Sequence, residues 1–439
     1  MPSPRPAAIA AELQRAVWRW HFVAGVLVLP FLLWLAVTGA LYLYKPEIER
    51  QVYADWIHVT PHGRPLPLDT LAARIAAQTG GHVTQLQKPL ARDESWRATM
   101  TLPGGAQRMA FVDPHDGRVL GTTTPGGVMQ TVKHLHSLVL AGWIGNWLIE
   151  IAAGWSIVLV LSGVYLWWPR GRSPALALRG TPAGRLFWRD LHASTGLVAG
   201  ALILFLSISG MPWSAVWGRN VQAAVAGAGL GRPAAPAGDG HAGHDLPWSL
   251  QQHAMPVGGP PRVSADRALA AARARGMAPD WTLTWPATPG APYLVSATLG
   301  PSSAAHVVYV DAANGRVLQD ARFGDFGRPA QVIEWSAAVH QGKEYGEANR
   351  LVMLFACAAL ALLTISAPVM WWKRGARGRR NLPHGRSGAG LLAIMAVAGV
   401  VFPLTGLTML AALGYGRVKA LLGAVQNSRA RNNCPASTT

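Results

Sequence analysis

Cysteine is nearly absent from the chain, which has only Cys357, inside an apolar run, and Cys434, near its end. Without a CxxC pair or a CxxCH signature, the sequence predicts no disulfide framework and no covalently attached haem. Acidic residues are also few, with 21 Asp and Glu among 439 residues, and charged residues make up only 14%. That share is low for a soluble protein. A P-loop, a dinucleotide fingerprint, a Ser-His-Asp set and a zinc-ligand pattern are missing too, so the common soluble enzyme classes are not indicated.

Long apolar runs are what the sequence has instead. Half of the residues are hydrophobic, and 19 Trp against 8 Tyr is an excess of a residue enriched at membrane–water interfaces. Four runs reach the length of about 20 apolar residues that a spanning helix needs: 22–44, 147–168, 197–217 and 351–372. A fifth run, 391–413, contains Pro403, which membrane helices tolerate where neighbours satisfy the freed carbonyl. We therefore expect a multi-pass membrane protein with a bilayer as its partner.

The distribution of charge predicts the orientation of these spans. The segment after the second span carries Arg170, Arg172, Arg179, Arg185 and Arg189 against Asp190, and the one after the fourth carries Lys373, Arg374, Arg377, Arg379, Arg380 and Arg386. The long segments 45–133 and 218–339 are nearly balanced, with ten basic against eight acidic residues and nine against eight. Short basic loops face the cytoplasm, so the N-terminus is predicted inside a bacterial inner membrane and both long segments in the periplasm. The net charge of +18 then reflects topology, and no nucleic-acid partner is expected. The tail after the fifth span is the exception to this charge pattern. The predicted topology puts it in the periplasm, yet it carries Arg417, Lys419, Arg429 and Arg431.

An internal repeat organises the chain. The stretch that begins at Trp20-His21 resembles the one that begins at Leu191-His192, and Thr38-Gly39 matches Ser209-Gly210 at the same offset of 171. His136 and the run from Ser162 recur 204 residues later as His340 and the run from Ser366. Between them, alternating strands enter Asp116-Gly117 and Asn314-Gly315, which are typical of β-hairpin turns. Helical stretches at 71–79 and 265–275 precede these hairpins, which indicates small α+β domains.

The predicted fold class is a membrane α-helical bundle, four core transmembrane helices plus a fifth, with two small periplasmic α+β domains in an internal tandem repeat. The boundaries are 1–44 for the N-terminus and first span, 45–133 for the first domain, 134–168 for the second span, 169–191 for a cytoplasmic loop, 192–217 for the third span, 218–339 for the second domain with a His/Gly/Pro-rich loop, 340–372 for the fourth span, 373–388 for a second cytoplasmic loop, 389–414 for the fifth span and 415–439 for the tail.

Four histidines recur in the repeat, each near the start of a span. Ionisable residues at membrane depth are costly and usually have a partner or a function, and neutral imidazole is a common axial ligand of haem iron between facing helices. Repeat symmetry predicts an inner pair, His21 with His192, and an outer pair, His136 with His340. The alternative is that all four are interfacial histidines bonded to backbone carbonyls. Gly25 and Gly196, one turn away from the inner pair, would leave room for a flat macrocycle or for close helix approach.

Other polar residues leave choices open. His134 could replace His136 as a ligand, although its repeat counterpart is Ala338. His241, His244, His253 and Met255 form a stretch that could capture a transition metal, but in a Gly-rich segment a solvated linker is the simpler interpretation. Glu150, the one acid inside a span, could pair with an arginine, serve a proton path or lie near the headgroups.

With these residues assembled, the chain resembles the PepSY-associated transmembrane family, also called iron-regulated membrane proteins. The resemblance covers residues 18–413 and rests on the segments around Trp20-His21, Leu135-His136, Trp188 to His192 and His340-Gln341-Gly342, with the two hairpins resembling PepSY domains. It implies a ferrisiderophore reductase that holds two b-type haems on the four histidines. Such a protein passes electrons from a cytoplasmic or quinol donor to a ferric siderophore or other ferric chelate. A family resemblance does not fix the substrate, and the rival is a non-catalytic PepSY binding or assembly protein, or a chelate permease, without haem. Copper handling through the His/Met stretch is a third possibility.

One distance conflicts with this topology. His136 lies 32 residues before Trp168, or roughly 48 Å along an unbroken helix, which exceeds the hydrocarbon core of about 30 Å. We therefore expect either an outer haem above the membrane or a break in the helix near 142–145.

Overall fold

The computed structural model of the chain describes residues 6–168, 176–231, 261–297, 300–374 and 389–415. Two compact units are present. The helical unit contains the chain up to Trp34, Ala141–Trp217 and the residues from Ala359 on, and the sheet unit contains Leu35–Leu140 and Gly218–Ala358. The predicted metal stretch 241–255, the basic tail after 415 and several loop arginines lie outside the described residues.

Four helices are long and apolar enough to cross a membrane, which confirms the four core spans. They comprise Ala11–Leu43, Val139–Trp167, Arg185–Trp213 and Gly346–Trp372. Their helical cores are α1 (Pro6–Leu43), α6 (Gly142–Trp167), α7 (Arg185–Gly210) and α11 (Gly346–Trp372). Small side chains let three of them approach closely, since Ala199 and Ile203 of α7 form one buried cluster with Ala359 of α11 and the flanking Val160 of α6.

The predicted fifth span is wrong as a single spanning helix. The chain forms α12 (Ala389–Val401) and α13 (Pro403–Tyr415) instead, each roughly 20 Å long and so shorter than the hydrocarbon core. Pro403 has no backbone N–H and separates the two helices. They fold back on each other, because a Cβ on Gly406 would lie 2.5 Å from the Cα of Gly399. The indole of Trp155 on α6 donates to the Thr408 hydroxyl at 2.9 Å, which fixes α13 against α6.

The two predicted domains share one sheet. Its eight strands run in the order β4-β3-β2-β1-β5-β6-β7-β8. They are β1 (His82–Lys88), β2 (Trp96–Thr101), β3 (Gln107–Val112), β4 (Val119–Thr123), β5 (Trp281–Thr284), β6 (Tyr293–Ala297), β7 (His306–Val310) and β8 (Val317–Arg322). The join is the antiparallel pair β1–β5, in which Leu86 lies opposite Leu283. Both predicted hairpins are confirmed as β3–β4 and β7–β8, with Gly117 and Gly315 at positive φ in their turns.

Two helices cover one face of this sheet. They are α4 (Leu68–Thr79) and α9 (Ala265–Arg273), close to the predicted stretches, and their apolar residues belong to the same buried core as Leu86 and Leu283. The helices also cap each other. Asp69 accepts from the Ala265 backbone N–H at 3.0 Å, and Asp266 accepts from the Leu68 backbone N–H at 2.9 Å. A carboxylate at a helix N-terminus satisfies an orphan donor and complements the helix dipole.

Short helices connect the sheet to the spans. They are α2 (Lys45–Val52), α3 (Ala54–Ile57), α5 (Gly127–His136), α8 (Trp217–Gly227) and α10 (Arg328–His340). A break follows α5, where Leu138 and Gly142 have positive φ, and another follows α10, at Gly342 and Gly346. The chain therefore breaks between His136 and α6, slightly before the predicted position, and this removes the conflict over helix length. The spans begin later than 134 and 340.

Candidate functional site

A serine from a different spanning helix contacts each imidazole of the predicted inner pair. His21 Nδ1 on α1 lies 2.9 Å from Ser162 Oγ on α6. His192 Nδ1 on α7 lies 2.9 Å from Ser366 Oγ on α11. The two arrangements are equivalent, and they fix each ring through its Nδ1 atom.

The serine bonds determine which ring nitrogen carries the proton. Ser162 Oγ donates to the Leu159 carbonyl at 3.2 Å, and Ser366 Oγ donates to the Leu363 carbonyl at 3.1 Å. A hydroxyl has one proton, so each serine must accept from the histidine. Both imidazoles therefore carry their proton on Nδ1, which leaves Nε2 with the lone pair that a metal requires.

Three glycines lie near the inner pair. A Cβ on Gly163 would lie only 3.3 Å from Cε1 of His21, so this glycine gives the ring its room. Gly25 and Gly196 are less restrictive, since a Cβ there would make ordinary contacts of 3.9 and 3.7 Å with Leu159 and Leu363. His21 and His192 are both half-buried and close enough to interact electrostatically.

The outer pair has a related arrangement in the sheet unit. His136 Nδ1, at the end of α5, lies 2.9 Å from Thr38 Oγ1 on α1. Thr38 Oγ1 also donates to the Leu35 carbonyl, at the longer distance of 3.4 Å. A Cβ on Gly39 would lie 3.4 Å from His136 Cε1. His340 ends α10 and interacts electrostatically with His136, so the two predicted partners are neighbours.

The donor set fits two bis-histidyl haem sites on chemical grounds. Three of the imidazoles have Nδ1 held by a hydroxyl, and two have a glycine against Cε1, where a side chain would crowd the ring. A hydrogen bond to Nδ1 is the usual second-shell feature of a ligating histidine.

Comparison with protein families identifies the kind of chain to which these residues belong. A family model described as the PepSY-associated TM region matches residues 18–374. The chain belongs to this family. No curated protein matches it. Membership of the PepSY-associated family establishes a membrane protein, and it leaves the chemistry of the four histidines to be argued from the chain itself.

His134 is held in a different way from the other histidines of this PepSY-associated chain. Its Nε2 lies 2.8 Å from the side-chain nitrogen of Gln130, one turn earlier on the same helix. An amide nitrogen only donates, so Nε2 of His134 accepts this bond and its lone pair is used. His136 has the hydroxyl partner and the neighbouring His340, so the geometry favours His136 as the ligand.

Glu150 has a structural partner that the sequence did not indicate. The side chain is 2% exposed, and its carboxylate accepts from the backbone N–H groups of Val216 at 2.8 Å and Trp217 at 3.1 Å. These groups lie at the start of α8, where unpaired N–H donors need an acceptor. Glu150 therefore caps the start of α8 from another helix. The sequence suggested an arginine partner, a proton path or a position near the headgroups, and it did not suggest this role.

The hydroxyl partners are the functional residues that the sequence reasoning missed. Ser162, Ser366 and Thr38 all stand inside the repeated segments, at the recurring positions that carry Ser-Gly, Ser-Ala and Thr-Gly. The signal was therefore present, but a small hydroxyl residue in a spanning helix usually bonds its own helix. Only the packing of helices reveals which histidine each one faces.

Proposed function

We propose that this protein transfers electrons across a membrane through two b-type haems and reduces ferric chelates, such as ferric siderophores. The observation that carries the proposal is the serine-fixed inner pair, in which His21 and His192 each direct the protonated Nδ1 to a hydroxyl. Both rings are held in the same way by a hydroxyl on another spanning helix, which leaves the same nitrogen, Nε2, available on each. Two equivalent rings with the same unprotonated nitrogen favour a shared metal centre.

Each residue has a definite task in this proposal. His21 and His192 would be axial ligands of an inner haem, and His136 and His340 of an outer haem. Ser162, Ser366 and Thr38 orient the rings and keep Nε2 unprotonated, while Gly163 and Gly39 keep side chains away from Cε1. When bound, a bis-histidyl haem accepts and donates one electron at its iron.

The direction of transfer follows from the predicted topology, which is part of the proposal. With the basic short loops in the cytoplasm, the inner pair lies on the cytoplasmic side of a bacterial inner membrane and the sheet unit in the periplasm. Electrons from a cytoplasmic or quinol donor would then leave the cell through the outer pair. Hard oxygen chelators hold the ferric ion more tightly than the ferrous ion, so reduction would release the iron.

The first test is a spectrum of the purified full-length chain from haem-replete cells, oxidised and then dithionite-reduced, with a pyridine haemochrome assay. We expect low-spin b-type bands and about two haems per chain. The second step uses proteoliposomes with a trapped reductant and an external ferric hydroxamate chelate, with ferrous iron detected by a colorimetric ligand. His82→Ala, an exposed histidine on β1, is the matched control and should behave as wild type.

A non-catalytic PepSY binding or assembly protein is the rival function. It predicts a colourless preparation and no ferrous iron outside the vesicles. A result of one haem per chain would support only one of the two histidine pairs as a haem site. We expect that pair to be the inner one, because both of its rings have a hydroxyl partner on another helix.

A further inference from the structure

A cluster of metal-ligating side chains that the proposed electron path does not use lies at the turn between β3 and β4. His62, Asp113 and Asp116 each offer one ligand atom, and these three atoms all lie within 4.8 Å of one another. Within the described ranges, no other three His, Cys, Asp or Glu residues come so close. Asp113 is 3% exposed, whereas the Asp116 side chain is 43% exposed and His62 is exposed, so an ion could enter from solvent.

The hydrogen bonds of the cluster leave a ligand atom on each residue. His62 Nδ1 lies 2.9 Å from the Thr60 carbonyl, and because a carbonyl only accepts, the ring proton is on Nδ1 and the lone pair on Nε2. Asp113 and Asp116 each use Oδ1 to accept a backbone N–H, from His115 and Arg118 respectively. The Oδ2 atoms remain for an ion, with only a 3.8 Å exposed contact from Asp116 to the Arg118 guanidinium.

His115 provides an independent indication of a ligand. Its ring lies against that of His62, with 4.9 Å between the centroids. Its Nδ1 is buried and has no hydrogen-bond partner among the described residues. A buried polar atom without a partner costs roughly 1–3 kcal/mol. The first turn therefore holds a buried nitrogen that lacks a partner, on a ring in contact with the cluster residue His62.

The second hairpin of the chain shows which side chains of the first turn the fold does not require. The turn after β7 has the same bonds: Asp311 accepts from Ala313 and Asn314 accepts from Arg316, both through the side chain onto a backbone N–H. Both turns also close with the same two backbone hydrogen bonds. The N–H of the Asp donates to the carbonyl of the Arg five residues later, and the N–H of the Gly donates to the carbonyl of the same Asp. Ala313 and Asn314 stand where the first turn has His115 and Asp116. The turn therefore folds without the imidazole at position 115 and without the second carboxylate at position 116, whereas Asp113 recurs as Asp311.

We infer that the first hairpin turn binds one divalent transition-metal ion of the zinc type through His62, Asp113 and Asp116, next to the imidazole of His115. Imidazole and carboxylate together suit borderline divalent ions, and two carboxylates balance the charge. Donors at about 2.0–2.2 Å from a common ion are roughly 3–3.5 Å apart. The exposed His62 and Asp116 can close the remaining gap by small rotations, whereas Asp113 is held in the core.

The test is equilibrium dialysis of the full-length, detergent-solubilised chain against Zn²⁺, with bound metal measured by mass spectrometry. A background variant with His241, His244 and His253 all changed to alanine removes the other histidine-rich stretch. In that background we expect about one Zn²⁺ per chain. His62→Ala should weaken binding at least tenfold. The double variant His115→Ala/Asp116→Asn, which gives the first turn the side chains of the second, should do the same.

The controls separate loss of a ligand from loss of structure. Asn at position 116 keeps the side-chain oxygen that accepts from the Arg118 N–H, as Asn314 accepts from Arg316 in the second turn. Without metal, the double variant should therefore unfold at the same temperature as the background chain. His82→Ala in the same unit should bind Zn²⁺ as the background does. A background chain that binds no stoichiometric Zn²⁺, or turn variants that bind it with unchanged affinity, would overturn the inference. Haem content is recorded alongside and is expected to be unaffected, so this result is independent of the electron-transfer proposal.

Discussion

The helical unit and the sheet unit hold their histidines in different ways. His21 and His192 lie inside long helices, α1 and α7, and each is fixed by a serine on another spanning helix. His136 and His340 are each the last residue of a short helix, with a break in the chain directly after it. The short helices α5 and α10 come directly after the outermost strands, β4 and β8. The inner pair therefore depends on the packing of four spanning helices, whereas the outer pair depends on the ends of two helices that follow the sheet and on Thr38 of α1.

Because of this difference, a substitution that destabilises one unit should affect one histidine pair before the other. Damage to a spanning helix should affect the inner pair first, because its serines and histidines belong to four different helices. Damage to the sheet should shift α5 or α10 and so affect the outer pair first. The four substitutions below test this division.

The largest expected effect comes from removing an inner ligand. His192→Ala should lose one of two haems and abolish chelate reduction in proteoliposomes, because the inner site would have a single axial ligand. The sheet unit should be unaffected, since it contains none of the inner residues. The pyridine haemochrome assay measures the loss, and His134→Ala is the control that should retain both haems. An unchanged haem content in His192→Ala would remove His192 from the ligand set.

Removing a hydroxyl should have a smaller effect. Ser366→Ala leaves His192 in place but frees its Nδ1, and loss of a second-shell partner typically lowers affinity for the metal by roughly 10–100-fold. We expect weaker haem retention, a changed reduction potential of one haem and altered electron paramagnetic resonance of the ferric form. Ser366→Thr should restore these properties, because the hydroxyl is kept. If Ser366→Ala lowers only stability and leaves the potential unchanged, the serine is a packing residue.

The sequence predicted local features of both units and missed long-range ones. Length and hydropathy were sufficient for the four spans, and the turn signals at Gly117 and Gly315 were sufficient for both hairpins. The join of the two halves was not predictable, because it depends on the pairing of Leu86 with Leu283, far apart in the chain. Pro403 was interpreted as a tolerated kink, but the contact between Gly399 and Gly406 makes it a turn.

In the candidate site, too, the local features were predictable from the sequence and the long-range contacts were not. His21, His192, His136 and His340 were identified because they recur in the repeat, and the structure places the partners of each predicted pair near each other. Their hydroxyl partners, and the cap formed by Glu150, depend on which helix faces which. That information lies in packing and cannot be obtained from spacing along a helix.

A change at Glu150 should weaken the helical unit without removing a ligand. In Glu150→Gln the side-chain oxygen can accept only one of the two bonds from Val216 and Trp217, and the negative charge at the start of α8 is lost. We expect the free energy of unfolding to fall by about 1–3 kcal/mol, the cost of a buried donor left unsatisfied. Denaturant titration in detergent measures this, and the reduction rate per bound haem should stay constant. A large drop in that rate with unchanged stability would instead support a proton path through Glu150.

The smallest effect is expected in the sheet unit, at the reciprocal caps. Partial burial of the Asp266 carboxyl against α4 raises its pKa, and the nearby Asp69 carboxylate adds to the rise. A raised pKa means that the folded state holds the proton more tightly, so this contribution to stability is present at low pH and is lost as the pH rises through the raised value. Asp266→Asn keeps an oxygen for the Leu68 N–H and removes the titrating group. As the pH rises from about 4 through the raised pKa of Asp266, thermal unfolding should show wild type losing stability relative to this variant. Under conditions that melt the sheet, only the outer haem should be lost. Equal pH dependence in the two proteins would assign the effect to other carboxylates, and simultaneous loss of both haems would show that the two units do not fail separately.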